Sequence, residues 1–198
     1  MKQLLFATFF CFALIFNGVA FAQEANADAP KDRDWGIEVE PSGFLFRGYG
    51  LQVTRNVTKD NRFNIGLYSA ALDIPDWAKE GIFKNVTKET DVRLGFEIAL
   101  VARYKFKIGQ KESNPYIGFI GGWEYFDIAK PLVPNVRIST FVATPMIGYE
   151  IYLFKQMLYI NPQLRGVFYL APDSDQSTRT EAIKPFFALP TLSLGIKL

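Results

Sequence analysis

The chain has 198 residues, with 22 Lys or Arg against 20 Asp or Glu and a net charge of +2. A balance that even excludes electrostatic capture of nucleic acid as the main activity. Histidine is absent and the single cysteine is Cys11. That excludes an imidazole base, a Cys/His zinc site and a disulfide within the chain.

Residues 1–22 follow the order of a secretory signal. Lys2 supplies the positive charge, Leu4 to Phe16 is an almost unbroken apolar run, and Ala20-Phe21-Ala22 gives a small-x-small cleavage site. The run is shorter than the roughly 20 residues a spanning helix needs. Cys11 has no small residues before it and does not fit a lipoprotein anchor. Cleavage after Ala22 removes Lys2 and lowers the net charge by one, to +1. A polar, Ala-rich segment, 23–34, follows. No later apolar stretch approaches membrane-helix length, so any membrane span must be made of strands.

From residue 35 on, the pattern has period two. Segment 35–41 (WGIEVEP) reads as a strand turning at Pro41-Ser42-Gly43, with a second strand at about 44–55. The alternation keeps one phase from Ile37 through Val53, so one long strand is an open alternative. Phe63, Ile65 and Leu67 alternate with Asn64, Gly66 and Tyr68 within a strand at 62–73. Pro75 to Phe83 is the one short helix candidate, with Asp73 or Asp76 near its start. The strongest signal is 91–108, where Val92, Leu94, Phe96, Ile98, Leu100, Ala102, Tyr104, Phe106 and Ile108 hold every even position. Helical spacing would mix the two sets. Strands follow at 115–128, 136–154, 157–170 and 188–198.

Spacers 56–61, 109–114 and 155–156 are short, while 74–90, 129–135 and 171–187 are mostly longer. Short turns on one side and longer loops on the other describe an outer-membrane barrel. Closure abolishes the unpaired edges that hydrocarbon cannot tolerate, so the expectation is an all-β, closed, antiparallel up-and-down transmembrane β-barrel of about eight strands over 35–198.

Alternation alone does not say which face is which; a secreted lipocalin-like carrier would turn the apolar set toward a dry interior. Loop asymmetry favours lipid outside. So do aromatics near strand ends (Trp35, Tyr104, Phe106, Tyr116, Trp123, Tyr125, Tyr152, Phe154, Phe168 and Tyr169), which would form interfacial girdles. The lumen then receives Glu38, Glu40, Gln52, Arg93, Glu97, Arg103, Glu124, Glu150, Gln163, Arg165 and Lys197. Reversing the faces would put several of these in hydrocarbon, at about 2–4 kcal/mol for each midplane Arg or Lys. The near balance of acids and bases predicts a core stapled by ion pairs and hydrogen bonds. A narrow gated path constricted by Arg93, Arg165, Glu124 and Glu150 is the functional alternative.

The last strand, Leu192-x-Leu194-x-Ile196-x-Leu198, resembles the C-terminal signature of bacterial outer-membrane β-barrel proteins, although that signature usually ends in Phe. With the signal and the length, 35–198 is similar to small barrels of the OmpA-transmembrane-domain or OmpW type. The resemblance implies the bacterial outer membrane as location, its bilayer and the barrel-assembly machinery as partners, and passage of a small, hydrophobic molecule as an alternative function.

The small barrels that are enzymes lean on a histidine, and none exists here. Carboxylate pairs such as Asp173/Asp175 or Asp73/Asp76 read as turn residues, and no EF-hand-like spacing supports calcium. The reading is therefore a non-enzymatic barrel without cofactor or metal, structural or surface-interacting. In loop 74–90, Trp77, Ile82 and Phe83 among lysines are candidates for surface contact, with packing against the rim as the alternative.

Overall fold

The computed structural model describes residues 35–58, 60–106, 115–129, 135–153, 157–174 and 183–198, with the backbone alone for 171–174. The expected export signal, segment 23–34, Phe154 and Asp175 lie outside these residues. The elements are β1 (Trp35–Val39), α1 (Pro41–Leu45), β2 (Tyr49–Asn56), β3 (Phe63–Asp73), α2 (Asp76–Ile82), β4 (Asp91–Lys105), β5 (Pro115–Ala129), β6 (Val136–Tyr149), β7 (Ile151–Leu153), β8 (Leu158–Ser174) and β9 (Phe186–Lys197).

Every pairing is antiparallel and sequential neighbours pair from β1 to β6. β9 joins β8 to β1, and β8 pairs with both β6 and β7. β6 and β7 are two lengths of one stave, interrupted at Glu150, so the sheet closes as a barrel of eight staves. Closure leaves no long row of unpaired backbone groups at an edge. The hairpin ends at Asn56/Phe63, Lys105/Pro115 and Leu153/Leu158 share the end of the barrel where Trp35 and Leu198 lie, here called the lower end. Both helices lie at the upper end.

The first hairpin departs from the sequence expectation. Instead of a plain turn at 41–43 and a strand from 44, Pro41 opens one helical turn and β2 begins only at Tyr49. Proline's fixed φ suits that first helical position. Gly43 is buried against the backbone of Tyr49 and Gly50, where a Cβ would stand 2.7–2.8 Å away. β1 consequently meets β9 along only the pairs from Gly36↔Lys197 to Val39↔Leu194, and above it α1 packs against β2, β3 and β9. The expected helix at 75–83 is present as α2, with Pro75 at its N-cap. In the β2–β3 turn, Asn61 takes φ 55°, a left-handed conformation that asparagine tolerates better than most residues.

Alternation separates the two faces. Outward positions include the exposed Leu51, Leu67, Leu100, Phe119, Phe141 and Leu170. Inward positions include the buried Glu38, Gln52, Arg103, Glu150, Gln163 and Arg165. The outer face is apolar between its two ends, and the lower half of the interior is polar.

One phase change corrects the sequence reading. The β4–β5 register shifts between Leu94 and Phe96, so Val92 and Leu94 are buried inside rather than placed on the outer face. A bulge adds one residue to a strand and reverses the side on which the following side chains emerge. Tyr116 and Tyr169, expected in the aromatic girdles, are also buried inside.

Candidate functional site

The lower half of the interior is a polar lattice. From β4, Arg103 crosses to Glu38 on β1: Nη1 donates to Oε1, and Nη2 donates to Oε2 at 3.0 Å. Nη2 also reaches Gln52 Oε1 at 3.0 Å. Tyr159 Oη donates to Glu38 Oε1 and Asn161 Nδ2 to Oε2, both at 2.9 Å. Four donations nearly fill the acceptor capacity of one carboxylate. Tyr116 Oη donates to Asn161 Oδ1 at 3.0 Å, and its ring lies under the Arg103 guanidinium at 4.9 Å. Beside this group, Lys105 Nζ and Tyr152 Oη donate to Glu150 Oε2 at 2.7 and 2.5 Å.

Two glycines make room for the large phenols. A Cβ on Gly195 would overlap the Tyr159 ring, and one on Gly148 the Tyr116 ring. The side chains thus lie across neighbouring staves instead of standing into the lumen. Lys197 completes this end, its Nζ 5.3 Å from the Tyr159 ring centroid.

One layer higher, Arg165 Nη2 donates to Glu40 Oε1 at 2.5 Å and Nε donates to Gln163 Oε1 at 3.1 Å. Tyr68 Oη donates to Glu40 Oε2 at 3.1 Å, and Gln163 Nε2 donates to Ser193 Oγ at 3.1 Å. Removing two ions from water is costly unless their remaining donors and acceptors are also satisfied. Here the carboxylates are satisfied by residues from several staves, which fixes the staves relative to one another and fills the cross-section.

Above Arg165 the interior changes character. A cavity of about 160 Å³ is walled by Leu94, Ile120, Phe126 and Val167 and floored by Arg165 and Tyr68. Three acids line it: Glu40, held by Arg165 and Tyr68, and Glu97 and Glu124, which face each other as a cross-strand pair of β4 and β5. Its roof is α2, through Ala78 and Ile82. Phe83 plugs the mouth beside it, ring edge to Phe126 at 5.1 Å, and its backbone bridges Ile183. On α2 the buried Lys79 donates from Nζ to Oδ1 of the exposed Asp76 at 2.8 Å. That hydrogen bond, with the ammonium charge behind it, holds the Asp76 carboxyl below its ordinary value of 3.8.

The residues singled out in the sequence therefore divide into five groups. Glu38, Glu40, Gln52, Arg103, Glu150, Gln163 and Arg165 form the lattice, with Lys197 beside it. Glu97 and Glu124 line the cavity. Arg93 is not in the lumen: the bulge at Leu94/Phe96 turns it outward, where Nη1 stands 3.9 Å from Asp73 Oδ1 at the upper rim. Of the loop candidates, Ile82 and Phe83 are 5% and 1% exposed and belong to the plug, and Trp77 alone is open. Leu192, Leu194, Ile196 and Leu198 all occupy the outer face of β9 or the residue after it.

Sequence reasoning missed Lys105, Tyr68, Tyr116, Tyr152, Tyr159 and Asn161 as members of the lattice, having placed Tyr116 and Tyr152 in the girdles. For Tyr159 and Asn161 the signal was present, since they alternate in phase with Gln163 and Arg165. Tyr116 looked like a girdle residue because an aromatic at a strand end carries no mark of its face.

The chain matches no known protein-family model and no curated protein sequence.

Proposed function

We propose that this chain is an integral β-barrel protein of the bacterial outer membrane, exported by its N-terminal signal and inserted by the barrel-assembly machinery. Its role is non-enzymatic, structural or surface-interacting, with a lumen closed to ions. One observation carries the reading: among the described residues the outer face is an apolar belt whose charges stand only at its rims.

On β5 the outward positions from Ile117 to Tyr125 hold no charge, close to the roughly 9–11 residues of a tilted spanning strand. Above them come Asp127 and Arg137, paired at 3.0 Å, with Arg137 over the Tyr125 ring. At the lower rim Arg55 lies over the Trp35 ring at 5.4 Å. Aromatic rings beside charges at both borders of an apolar band are the chemistry of a membrane interface. A soluble carrier would instead expose this belt to water, far beyond the few hundred Å² of apolar patch a soluble monomer tolerates.

The polar lattice argues for a closed lumen. An ion crossing it must displace Arg103 from Glu38 or Arg165 from Glu40, each a buried, multiply bonded pair.

Electrophoresis of the membrane fraction in SDS tests this reading. An unboiled band that shifts on boiling is expected, because a closed transmembrane barrel resists SDS until heated. A single band with the protein in the soluble fraction would refute it. In planar bilayers the protein should be silent; steady openings altered by Arg165→Gln would favour transport instead.

A further inference from the structure

The upper cavity holds two acids without a basic partner. Glu38, Glu40 and Glu150 are each bonded to a basic side chain: Arg103, Arg165 and Lys105 respectively. Glu97 and Glu124 are not. Among the described residues neither has an ion pair or a hydrogen-bond partner, although Glu124 is only 4% exposed and its Oε1 is wholly shielded from solvent. The basic groups near the cavity are already engaged. Arg165 is committed to Glu40 and Gln163, and Lys79 to Asp76 and the Lys88 carbonyl.

A buried carboxylate oxygen without a donor is expensive to maintain. Glu124 holds such an oxygen, and the unpaired Glu97 faces it from the adjacent stave across one cavity with apolar walls. We propose that the cavity is a binding site for a compact primary amine, its ammonium held between Glu97 and Glu124 and its aromatic or short aliphatic body against Ile120, Phe126 and Val167. An ammonium supplies donors and a positive charge where both are missing. The volume sets the size: about 160 Å³ compares with the roughly 150 Å³ apolar cavity that accepts benzene. A calcium ion fits poorly: Glu40, the third acid lining the cavity, is held by Arg165 and Tyr68, no group of three ligating side chains converges among the described residues, and calcium takes about six to eight oxygens. An anion would be repelled by the two acids.

The test uses the full chain, purified in detergent micelles, and titration calorimetry with benzylamine, toluene and benzoate. Each preparation is first checked for the heat-dependent gel shift. The isosteric double variant E97Q/E124Q measures partition of the probe into the micelle. Saturable binding of benzylamine at one site is expected, weakened about tenfold or more by E124Q, as a lost charge-assisted hydrogen bond implies. Toluene should bind more weakly than benzylamine by a similar factor, and benzoate not at all. Benzylamine heats equal in wild type and double variant would overturn the site, and so would equal affinity for benzylamine and toluene. With the gel shift present, that failure would leave the membrane-barrel reading intact. Absence of the shift in the wild-type protein would overturn the barrel reading, and the site with it.

Discussion

Replacing Arg103 by methionine probes the lattice at its most connected point. The side chain is 1% exposed and donates to both oxygens of Glu38 and to Gln52. Methionine fills much of the same volume without a charge, so the change is electrostatic more than steric. It leaves Glu38 buried, keeping the donations from Tyr159 and Asn161 but losing its counter-ion. Breaking one partner of a buried pair costs about 3–5 kcal/mol, and the retained neutral donors place the expectation at about 3 kcal/mol. The companion E38Q/R103M removes both charges and should recover most of the loss, because a neutral buried pair carries no ionic desolvation. The assay is equilibrium unfolding in urea with detergent, followed by tryptophan fluorescence, as a double-mutant cycle with E38Q. A coupling above about 1.5 kcal/mol is expected. R103M within about 0.5 kcal/mol of wild type, or a double variant no better than R103M, would refute the view that Glu38 depends on this guanidinium.

Three further outcomes follow from the geometry. Gly195→Ala sets a methyl into the Tyr159 ring and should lower stability by about 1–3 kcal/mol; Tyr159→Leu in the same chain should relieve it, and an additive loss would show that the contact is not the cause. Phe83→Ala empties the plug at a cost of about 3–5 kcal/mol. Because α2 hangs on a loop, the loss should appear as tryptic cleavage after Lys84 or Lys88 with the heat-dependent gel shift retained; resistance to trypsin would contradict the plug. Asp76 has a lowered carboxyl, so its pair with Lys79 contributes fully above the ordinary value of 3.8 and is lost as pH falls through the lower folded value. The carboxyl carbon-13 shift of Asp76 should therefore hold steady down to about pH 4 and titrate below it, and a midpoint at or above 3.8 would contradict the pairing.

The closed barrel was legible because period two persists wherever a stave separates polar lumen from apolar surroundings. Phe119 and Phe141 against Thr140 and Glu124 leave no ambiguity of face. The reading failed where both sides of the wall are apolar. Val92 and Leu94 suit the cavity as well as the outer belt, so the even positions of 91–108 stay apolar straight through the bulge, and nothing in the pattern marks the change of side that turns Arg93 outward. The helical turn at 41–45 was hidden likewise, since Leu45, Tyr49 and Leu51 continue the odd-numbered alternation of Ile37 and Val39. The membership of the lattice was largely visible, its pairings were not. Arg103 finds Glu38 65 residues away and Arg165 finds Glu40 125 residues away, separations that only closure of the ring brings to hydrogen-bond distance.

The short first stave bears on how the ring is completed. Most staves pair with a neighbour in sequence through a hairpin, so their contacts can zip locally. The β1–β9 pairing joins Gly36 to Lys197 and Val39 to Leu194, closing a loop of nearly the whole described chain through a handful of ladder positions. The entropy of that closure precedes any contact it yields, and such non-local pairing slows folding. We therefore expect the β1–β9 pairing to form last and to set the rate, so that substitutions there and in the earlier-formed β4–β5 hairpin alike slow folding, with little change in the unfolding rate.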